Sequence, residues 1–115
     1  MAVKIFHNPR CSKSRATLQL LRDNGHEPEI VLYLENPPDA SALASILDRL
    51  AMGPRDLMRK GESEYAEQDL ANPDLNNDQL IAAMVSSPKL IERPIVLNGD
   101  KAAIGRPPES VLDIL

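Results

Sequence analysis

The sequence predicts an α/β fold in which helices flank a four-stranded mixed sheet. Residues 3–34 follow a strand, helix, strand order, and residues 95–104 carry a hairpin signal. Between these regions the apolar residues recur with a helical period, so we expect a helical insertion between a βαβ half and a ββα half. With 115 residues and 43% hydrophobic content, residues 1–115 are expected to form a single domain.

The first half of the sheet is predicted from two short apolar runs and the helix between them. Residues 3–6 are apolar and β-branched, and residues 29–34 form a second run of this kind. From Ser12 the pattern becomes helical, and Asn24 with Gly25 supplies a stop signal. A strand, helix and strand within about 32 residues is typical of a right-handed βαβ unit with parallel strands.

The insertion begins where Pro37 and Pro38 interrupt the chain. Asp39 is a suitable N-cap for a helix that we expect Gly53 to end. This helix has an apolar face with i, i+3, i+4, i+7 spacing, which consists of Leu43, Ile46, Leu47 and Leu50.

Three more helices are expected in the insertion. Pro54 can begin a short one, and another is predicted over residues 64–68. Asn77 is expected to cap a longer helix that ends before Pro88.

The second half of the sheet is predicted from an Asn-Gly pair at 98–99, which is the strongest short-range hairpin signal. The flanking runs, 95–97 and 101–104, are therefore expected to be antiparallel strands. Two prolines follow Arg106 and can begin a final helix over residues 109–115.

Composition excludes several classes of function. A formal charge of −4 and an aromatic content of 3% disfavour nucleic-acid binding, which needs basic surfaces and stacking platforms. No apolar run approaches the ~18 residues of a membrane-spanning helix, so no membrane role is expected. Nothing before Val3 resembles a secretion leader, and we expect a cytoplasmic monomer.

Cys11 is the only cysteine, and it lies at the N-cap or first turn of the first predicted helix. A helix N-terminus presents unpaired N–H groups and a partial positive charge, which favour a reactive thiolate over a thiol. Arg10, Lys13 and Arg15 add positive charge nearby. The alternative is a buried, inert cysteine, but polar neighbours on both sides disfavour it. Cys11 is therefore predicted to be a nucleophile.

Two absences narrow the reaction class. Thr17 stands where a phosphatase-type loop would place its arginine, and Ser14 stands where a thioredoxin-type pair would place its second cysteine. An oxidised Cys11 must therefore be released by an external thiol such as glutathione, or by a glutaredoxin. One cysteine and two histidines match no recognised zinc spacing, so no metal is expected.

The run from His7 to Arg15 resembles the nucleophile loop of the glutaredoxin-dependent arsenate reductases of the ArsC family. Four further blocks match that family in order: 33–38, 57–60, 92–96 and 105–107. The resemblance implies a thioredoxin-like fold in which Pro94 is the cis-proline. Because the chain stops at Leu115 and lacks a charged C-terminal tail, it is most similar to the short chromosomal members of the family.

The resemblance also implies roles for six residues. Cys11 would be the nucleophile, and His7 with Ser14 would help to set its thiolate. The oxyanion would be held by three arginines, namely Arg59, Arg93 and Arg106. Arsenate would form an adduct with Cys11, glutathione would add as a co-substrate, and glutaredoxin would then release arsenite, with no tightly bound cofactor.

Two other functions fit the same residues. One is a general glutathione-linked thiol oxidoreductase, which would need Cys11 but would tolerate loss of Arg59 or Arg106. The other is a non-enzymatic redox regulator, because the same fold family includes a redox-sensing protein that binds RNA polymerase. That protein depends on a cysteine pair where Cys11 and Ser14 stand, which counts against this interpretation.

Overall fold

The computed structural model describes residues 3–115. It contains four strands, which are β1 (Val3–Phe6), β2 (Glu29–Val31), β3 (Ile95–Asn98) and β4 (Lys101–Ile104). The α-helices are α1 (Ser12–Asp23), α2 (Ala40–Leu50), α3 (Pro54–Leu57), α4 (Ser63–Glu67) and α5 (Asn77–Ser86). Two 3₁₀ helices cover Pro88–Leu90 and Pro108–Ile114.

The strands form one mixed sheet in the order β2-β1-β3-β4. Strands β1 and β2 are parallel, with Ile5 opposite Ile30. Strand β3 is antiparallel to both neighbours, and it places Val96 opposite Ile5 on one side and opposite Ala103 on the other. The predicted mixed four-stranded sheet flanked by helices, with helices inserted between its two halves, is confirmed.

Close contacts between residues divide the chain into two units. The sheet unit comprises residues up to Asn36 together with Arg93–Leu115, and the helical unit comprises Pro37–Glu92. The helical unit is the predicted insertion. That residues 1–115 form a single domain stays a prediction.

The core of the sheet unit follows from strand alternation. Val3 and Ile5 lie two residues apart on β1 and therefore share a face, on which Val96 of β3 joins them. Helix α1 contributes Leu21 to this core, and the C-terminal 3₁₀ helix contributes Val111. These two helices also pack against each other, so they cover one face of the sheet together.

In the helical unit, α5 contacts more of the other helices than any other element does. Helices α2 and α3 and the 3₁₀ helix Pro88–Leu90 all contact it. The Asp39 carboxylate accepts a hydrogen bond from the Ala42 N–H at 2.7 Å and caps α2 as predicted. The buried side chains are aliphatic and include Leu43, Ile46, Leu47, Leu57, Leu80, Ile81 and Met84.

Three helices in the helical unit have boundaries that differ from the predictions. Helix α4 covers Ser63–Glu67, one residue earlier than the predicted 64–68. Helix α2 ends at Leu50, where Ala51 takes the left-handed conformation with φ 56°, and Gly53 is instead the N-cap of α3. The cap of α5 is Asn76, not Asn77. Its side chain accepts from the Gln79 N–H at 2.9 Å, and the Gln79 side chain accepts from the Asn76 N–H, also at 2.9 Å.

Three boundaries in the sheet unit also differ. Strand β2 stops at Val31 because the chain turns at once, with the N–H groups of Glu35 and Asn36 both donating to the Leu32 carbonyl at 2.9 Å. Asn98 belongs to β3, so the hairpin turn starts at Gly99, whose φ is +63°. The final helix is a 3₁₀ helix.

The helices that the structure describes between residues 3 and 115 are all too short or too polar to cross a membrane.

Replacing Asn76 by Ala is expected to lower the free energy of unfolding by about 1 kcal/mol, because the first turn of α5 loses its side-chain cap. Asn77→Ala is the matched control, since Asn77 is also exposed but lies inside the first turn. Urea unfolding of both variants tests the assignment. Equal losses, or a larger loss for Asn77→Ala, would show that the cap is placed wrongly.

Candidate active site

Cys11 lies directly before α1, as its N-cap residue, with an extended backbone. Its N–H donates to the Asn8 carbonyl at 3.0 Å, and its own carbonyl accepts from the Arg15 N–H at 3.0 Å. No acidic residue occupies the first turn of α1. The thiol, on a residue only 9% exposed, is therefore placed at the positive end of a 12-residue helix.

Arg106 reaches the thiol from the end of β4. Its Nη2 lies 3.7 Å from Cys11 Sγ, although the two residues are 95 positions apart in the sequence. The guanidinium is oriented by a second contact, in which Nε donates to the Arg93 carbonyl at 2.8 Å. The structure thus brings the predicted site residue Arg106 to Cys11, and Arg93 takes part through its backbone carbonyl.

A close approach at Gly105 makes this arrangement possible. The Gly105 N–H donates to the Pro94 carbonyl at 2.9 Å. A Cβ atom at position 105 would collide with Thr17 Oγ1 and would lie 2.7 Å from Pro94 Cγ. The buried Thr17 hydroxyl is itself fixed, because it donates to the Lys13 carbonyl at 2.8 Å. Only glycine therefore lets the end of β4 pack against α1 and carry Arg106 to the thiol.

The Arg93–Pro94 peptide is cis, as the resemblance implied for Pro94. The Arg106–Pro107 peptide is also cis, a feature that was not predicted.

His7 and Ser14, which lie on either side of Cys11 in the sequence, form a buried polar pair. His7 Nδ1 and Ser14 Oγ lie 2.6 Å apart, and Ser14 Oγ also accepts from the Asn8 N–H at 3.0 Å. Burial lowers the pKa of His7 below its ordinary value of 6.5, and the charges of Arg22 and Arg15 lower it further. The imidazole is therefore neutral at pH 7, so it acts here through hydrogen bonding and not as a cation.

The loop between β1 and α1 is held by its own polar groups. The Arg10 N–H donates to Asn8 Oδ1 at 3.0 Å, and Arg15 Nη1 donates to the Pro9 carbonyl at 3.0 Å. Arg10 and Arg15, two of the cations near the thiol in the sequence, therefore contribute differently. Arg15 stabilises the loop through its side chain, whereas Arg10 does so through its backbone N–H.

Arg59 belongs to the helical unit, where it follows α3. Its Nη1 donates to Glu62 Oε1 at 2.8 Å, and its Nε lies 3.6 Å from Glu92 Oε1. These two carboxylates were not singled out from the sequence. The i, i+3 spacing of Arg59 and Glu62 could have indicated the first pair, whereas nothing in the sequence indicates the second.

The part of the chain that the structure describes contains no group of three or more His, Cys, Asp or Glu residues arranged to hold a metal ion.

A sequence model of the ArsC family matches residues 6–114. The chain belongs to the ArsC family. It is 59% identical over 114 residues to the uncharacterized protein YfgD of Escherichia coli K12, covering 98% of this chain and 96% of that protein. It is 50% identical over 114 residues to the arsenate reductase of Neisseria meningitidis serogroup B, covering 98% of this chain and 97% of that protein.

Solved ArsC structures confirm the thioredoxin-like fold. The arsenate reductase from Vibrio cholerae superimposes with a TM-score of 0.97 at 47% identity, covering 100% of this chain and 98% of that chain. The family prediction from the nucleophile loop is confirmed with it. The catalytic and oxyanion-binding roles of the six ArsC-type residues stay predictions.

Replacing Gly105 by Ala is expected to destabilise this ArsC chain by about 1–3 kcal/mol, because the added methyl overpacks the contact with Thr17 and Pro94. Gly61→Ala is the control, since a Cβ there meets no atom within 4 Å. Urea unfolding compares the two variants. A Gly105→Ala variant as stable as Gly61→Ala would contradict the close packing.

Stability is expected to depend on His7 below pH 6.5. Because the folded state lowers the pKa of His7, the unfolded chain binds the proton more readily, so stability is complete above pH 6.5 and falls as the pH drops towards the lowered pKa. Urea unfolding of wild type and His7→Gln across this range isolates the effect, with His26→Gln as control. An NMR titration in which the His7 imidazole protonates at or above pH 6.5 would contradict it.

Proposed function

We propose that this chain is an arsenate reductase in which the Cys11 thiolate attacks arsenate and external thiols supply the electrons. Glutathione and glutaredoxin are the proposed donors. The chain acts as a cytoplasmic monomer without a tightly bound cofactor. One observation carries the proposal, namely the Arg106 guanidinium 3.7 Å from Cys11 Sγ at the N-terminus of α1.

This geometry supports oxyanion chemistry because the nucleophile and the anion-binding groups coincide. A helix N-terminus offers unpaired N–H groups and about half a positive charge. A guanidinium offers a planar pair of donors that matches two oxygens of a tetrahedral anion. A thiol that only exchanges disulfides also gains from a helix N-terminus, but it has no oxyanion for a planar guanidinium to hold.

The similarity to named relatives points the same way. Arsenate reductases from Neisseria meningitidis and Vibrio cholerae match this chain over nearly its whole length. Because about half of their residues are identical to those of this chain, these relatives support arsenate as the substrate class.

The first half of the reaction needs only this chain and glutathione. Cys11 sulfur forms a bond to arsenic, and one arsenate oxygen leaves as water after taking up protons. The glutathione sulfur then bonds to the same arsenic and a second oxygen leaves as water. Arsenic remains pentavalent through both steps. Arg106 and Arg93 would stabilise the negative charge that gathers on the oxygens.

The second half transfers two electrons to arsenic. The glutaredoxin thiolate attacks the glutathione sulfur, the arsenic–sulfur bond breaks, and its electron pair stays on arsenic, which becomes trivalent. Glutathione and glutaredoxin leave joined by a disulfide. Water then replaces the Cys11 sulfur, arsenite departs and the thiol is restored. A single cysteine requires this external route, because the chain has no partner for an internal disulfide.

The buried pair of His7 and Ser14 would hold the nucleophile loop in place during these steps. Ser14 Oγ accepts from the Asn8 N–H, and the Asn8 carbonyl accepts from the Cys11 N–H. The pair thus connects to Cys11 through one residue of backbone. We propose a positioning role for both side chains in setting the thiolate.

Arg59 enters the proposal as the third oxyanion ligand through the family resemblance. In the helical unit it already pairs with Glu62 and Glu92. An oxyanion must therefore compete with two carboxylates for this guanidinium, so its contribution to binding is expected to be smaller than that of Arg106.

The test measures arsenite formed from arsenate with glutathione, glutaredoxin and its reducing system. Cys11→Ser is expected to abolish turnover, and Arg106→Ala and Arg93→Ala are each expected to lower kcat/KM by about 10²-fold or more, as loss of an anion-stabilising donor does. Arg106→Lys keeps the charge but loses the planar fork, so an intermediate loss is expected. Arg49→Ala removes an exposed arginine of α2 and is the control.

Two outcomes would overturn arsenate reduction. The first is a wild type that forms no arsenite while iodoacetamide still alkylates Cys11 rapidly at pH 7. The second is Cys11-dependent reduction of a glutathione mixed disulfide that exceeds arsenite formation and survives Arg106→Ala and Arg93→Ala unchanged. Either result would favour a general glutathione-linked thiol oxidoreductase.

A further inference from the structure

A cavity of about 340 Å³ opens in the sheet unit beside the nucleophile loop. Residues 7–10 form one wall, and Leu32, Leu34 and Glu35 form the other. These walls follow the carboxyl ends of β1 and β2, which are parallel neighbours. Ligands of open α/β sheets commonly bind outside the carboxyl ends of the strands, and the volume lies within the usual range for small-molecule sites.

Backbone hydrogen bonds hold both walls. The His7 N–H donates to the Val31 carbonyl at 2.8 Å and ties the two strand ends together. The turn after β2 is closed by the two N–H groups that donate to the Leu32 carbonyl. Across the cavity, Asn8 fixes the loop by accepting from the N–H groups of Arg10 and Cys11. A ligand would therefore enter a largely preformed site.

The lining combines apolar surface with one charge of each sign. Leu34 is 39% exposed, and Pro9 and Leu32 extend the apolar part. Arg10 and Glu35 are both exposed, and within residues 3–115 neither side chain takes part in an ion pair or a side-chain hydrogen bond. Two opposite charges left apart beside an apolar wall fit a ligand that carries both an ammonium and a carboxylate.

We propose that this cavity binds the amino-acid end of the thiol that attacks the Cys11 adduct. The α-carboxylate of a γ-glutamyl thiol such as glutathione contacts Arg10, its α-ammonium contacts Glu35, and its methylene groups pack on Pro9 and Leu34. The site rests on the proposed function only in taking Cys11 to need an external thiol, which the single cysteine requires.

The position of the cavity suits this role. Arg10 immediately precedes Cys11 in the sequence, so an arm held against residues 8–10 lies on the loop that leads to the nucleophile. Holding the thiol there would make its attack on the Cys11 adduct effectively intramolecular. The oxyanion groups described above, Arg93 and Arg106, do not line this cavity.

The first test is an NMR titration with S-methylglutathione, which keeps all charged groups of glutathione but cannot react. Amide shifts are expected at residues 8–10 and 32–35 of the wild type. Arg10→Gln and Glu35→Gln are each expected to weaken binding about tenfold, since each removes one charge-assisted contact. Arg49→Gln and Glu67→Gln remove exposed charges elsewhere and are the matched controls.

The second test compares thiols in the arsenate assay. Arg10→Gln and Glu35→Gln are expected to raise the KM for glutathione about tenfold relative to their effect with 2-mercaptoethanol, which has no amino-acid end. N-Acetylglutathione lacks the ammonium, so wild type should have a higher KM for it than for glutathione. With N-acetylglutathione, Glu35→Gln should have the same KM as wild type. A higher KM in Glu35→Gln than in wild type would contradict the ammonium contact.

Failure of this site and failure of the proposed function are separable. Shifts confined to other residues, or equal affinity of wild type and both variants, would overturn the site even if arsenate is reduced. Shifts at 8–10 and 32–35 that both variants weaken would uphold it even if arsenate is not. If glutaredoxin perturbs these residues and S-methylglutathione does not, the cavity is a protein-docking surface and the proposal is wrong.

Discussion

The contact between the end of β4 and the first turns of α1 determines where the positive charge of this site lies. Gly105 packs against Thr17 and Pro94 so closely that no side chain fits there. The next residue, Arg106, is thereby carried to Cys11 and is fixed by its bond to the Arg93 carbonyl. Anion binding beside the thiol thus depends on glycine at position 105. A side chain there would separate β4 from α1 and move the Arg106 guanidinium away from Cys11.

Electrostatics around the loop explains why the histidine there is neutral. Arg15 and Arg22 both lower the pKa of His7, and burial contributes most. A protonated imidazole would add another positive charge without water to solvate it. The loop therefore concentrates its cationic character on arginines, which stay charged at every physiological pH, and uses His7 with Ser14 as a neutral hydrogen-bonded support.

Local sequence signals were sufficient to predict most elements of the fold. They did not predict every helix boundary or the pairing of residues that are far apart in the sequence. The Asp39 cap, the βαβ unit and the hairpin each follow from neighbouring residues, and the structure contains all three. Ala51 ends α2 in a left-handed conformation that alanine rarely adopts, so propensity could not indicate it. Likewise, the resemblance named Arg59, but only the fold reveals its pair with Glu92.

The two charged residues that line the cavity, Arg10 and Glu35, illustrate the same limit for function. In the sequence, Arg10 is one of several cations near the nucleophile, and Glu35 belongs to a turn 24 positions after Cys11. Parallel pairing of β1 with β2 brings both strand ends to one edge and places these residues on one cavity. The Arg15 guanidinium, by contrast, donates a hydrogen bond to the Pro9 carbonyl. Of these two arginines of the nucleophile loop, Arg10 is therefore the one whose side chain remains available to a ligand.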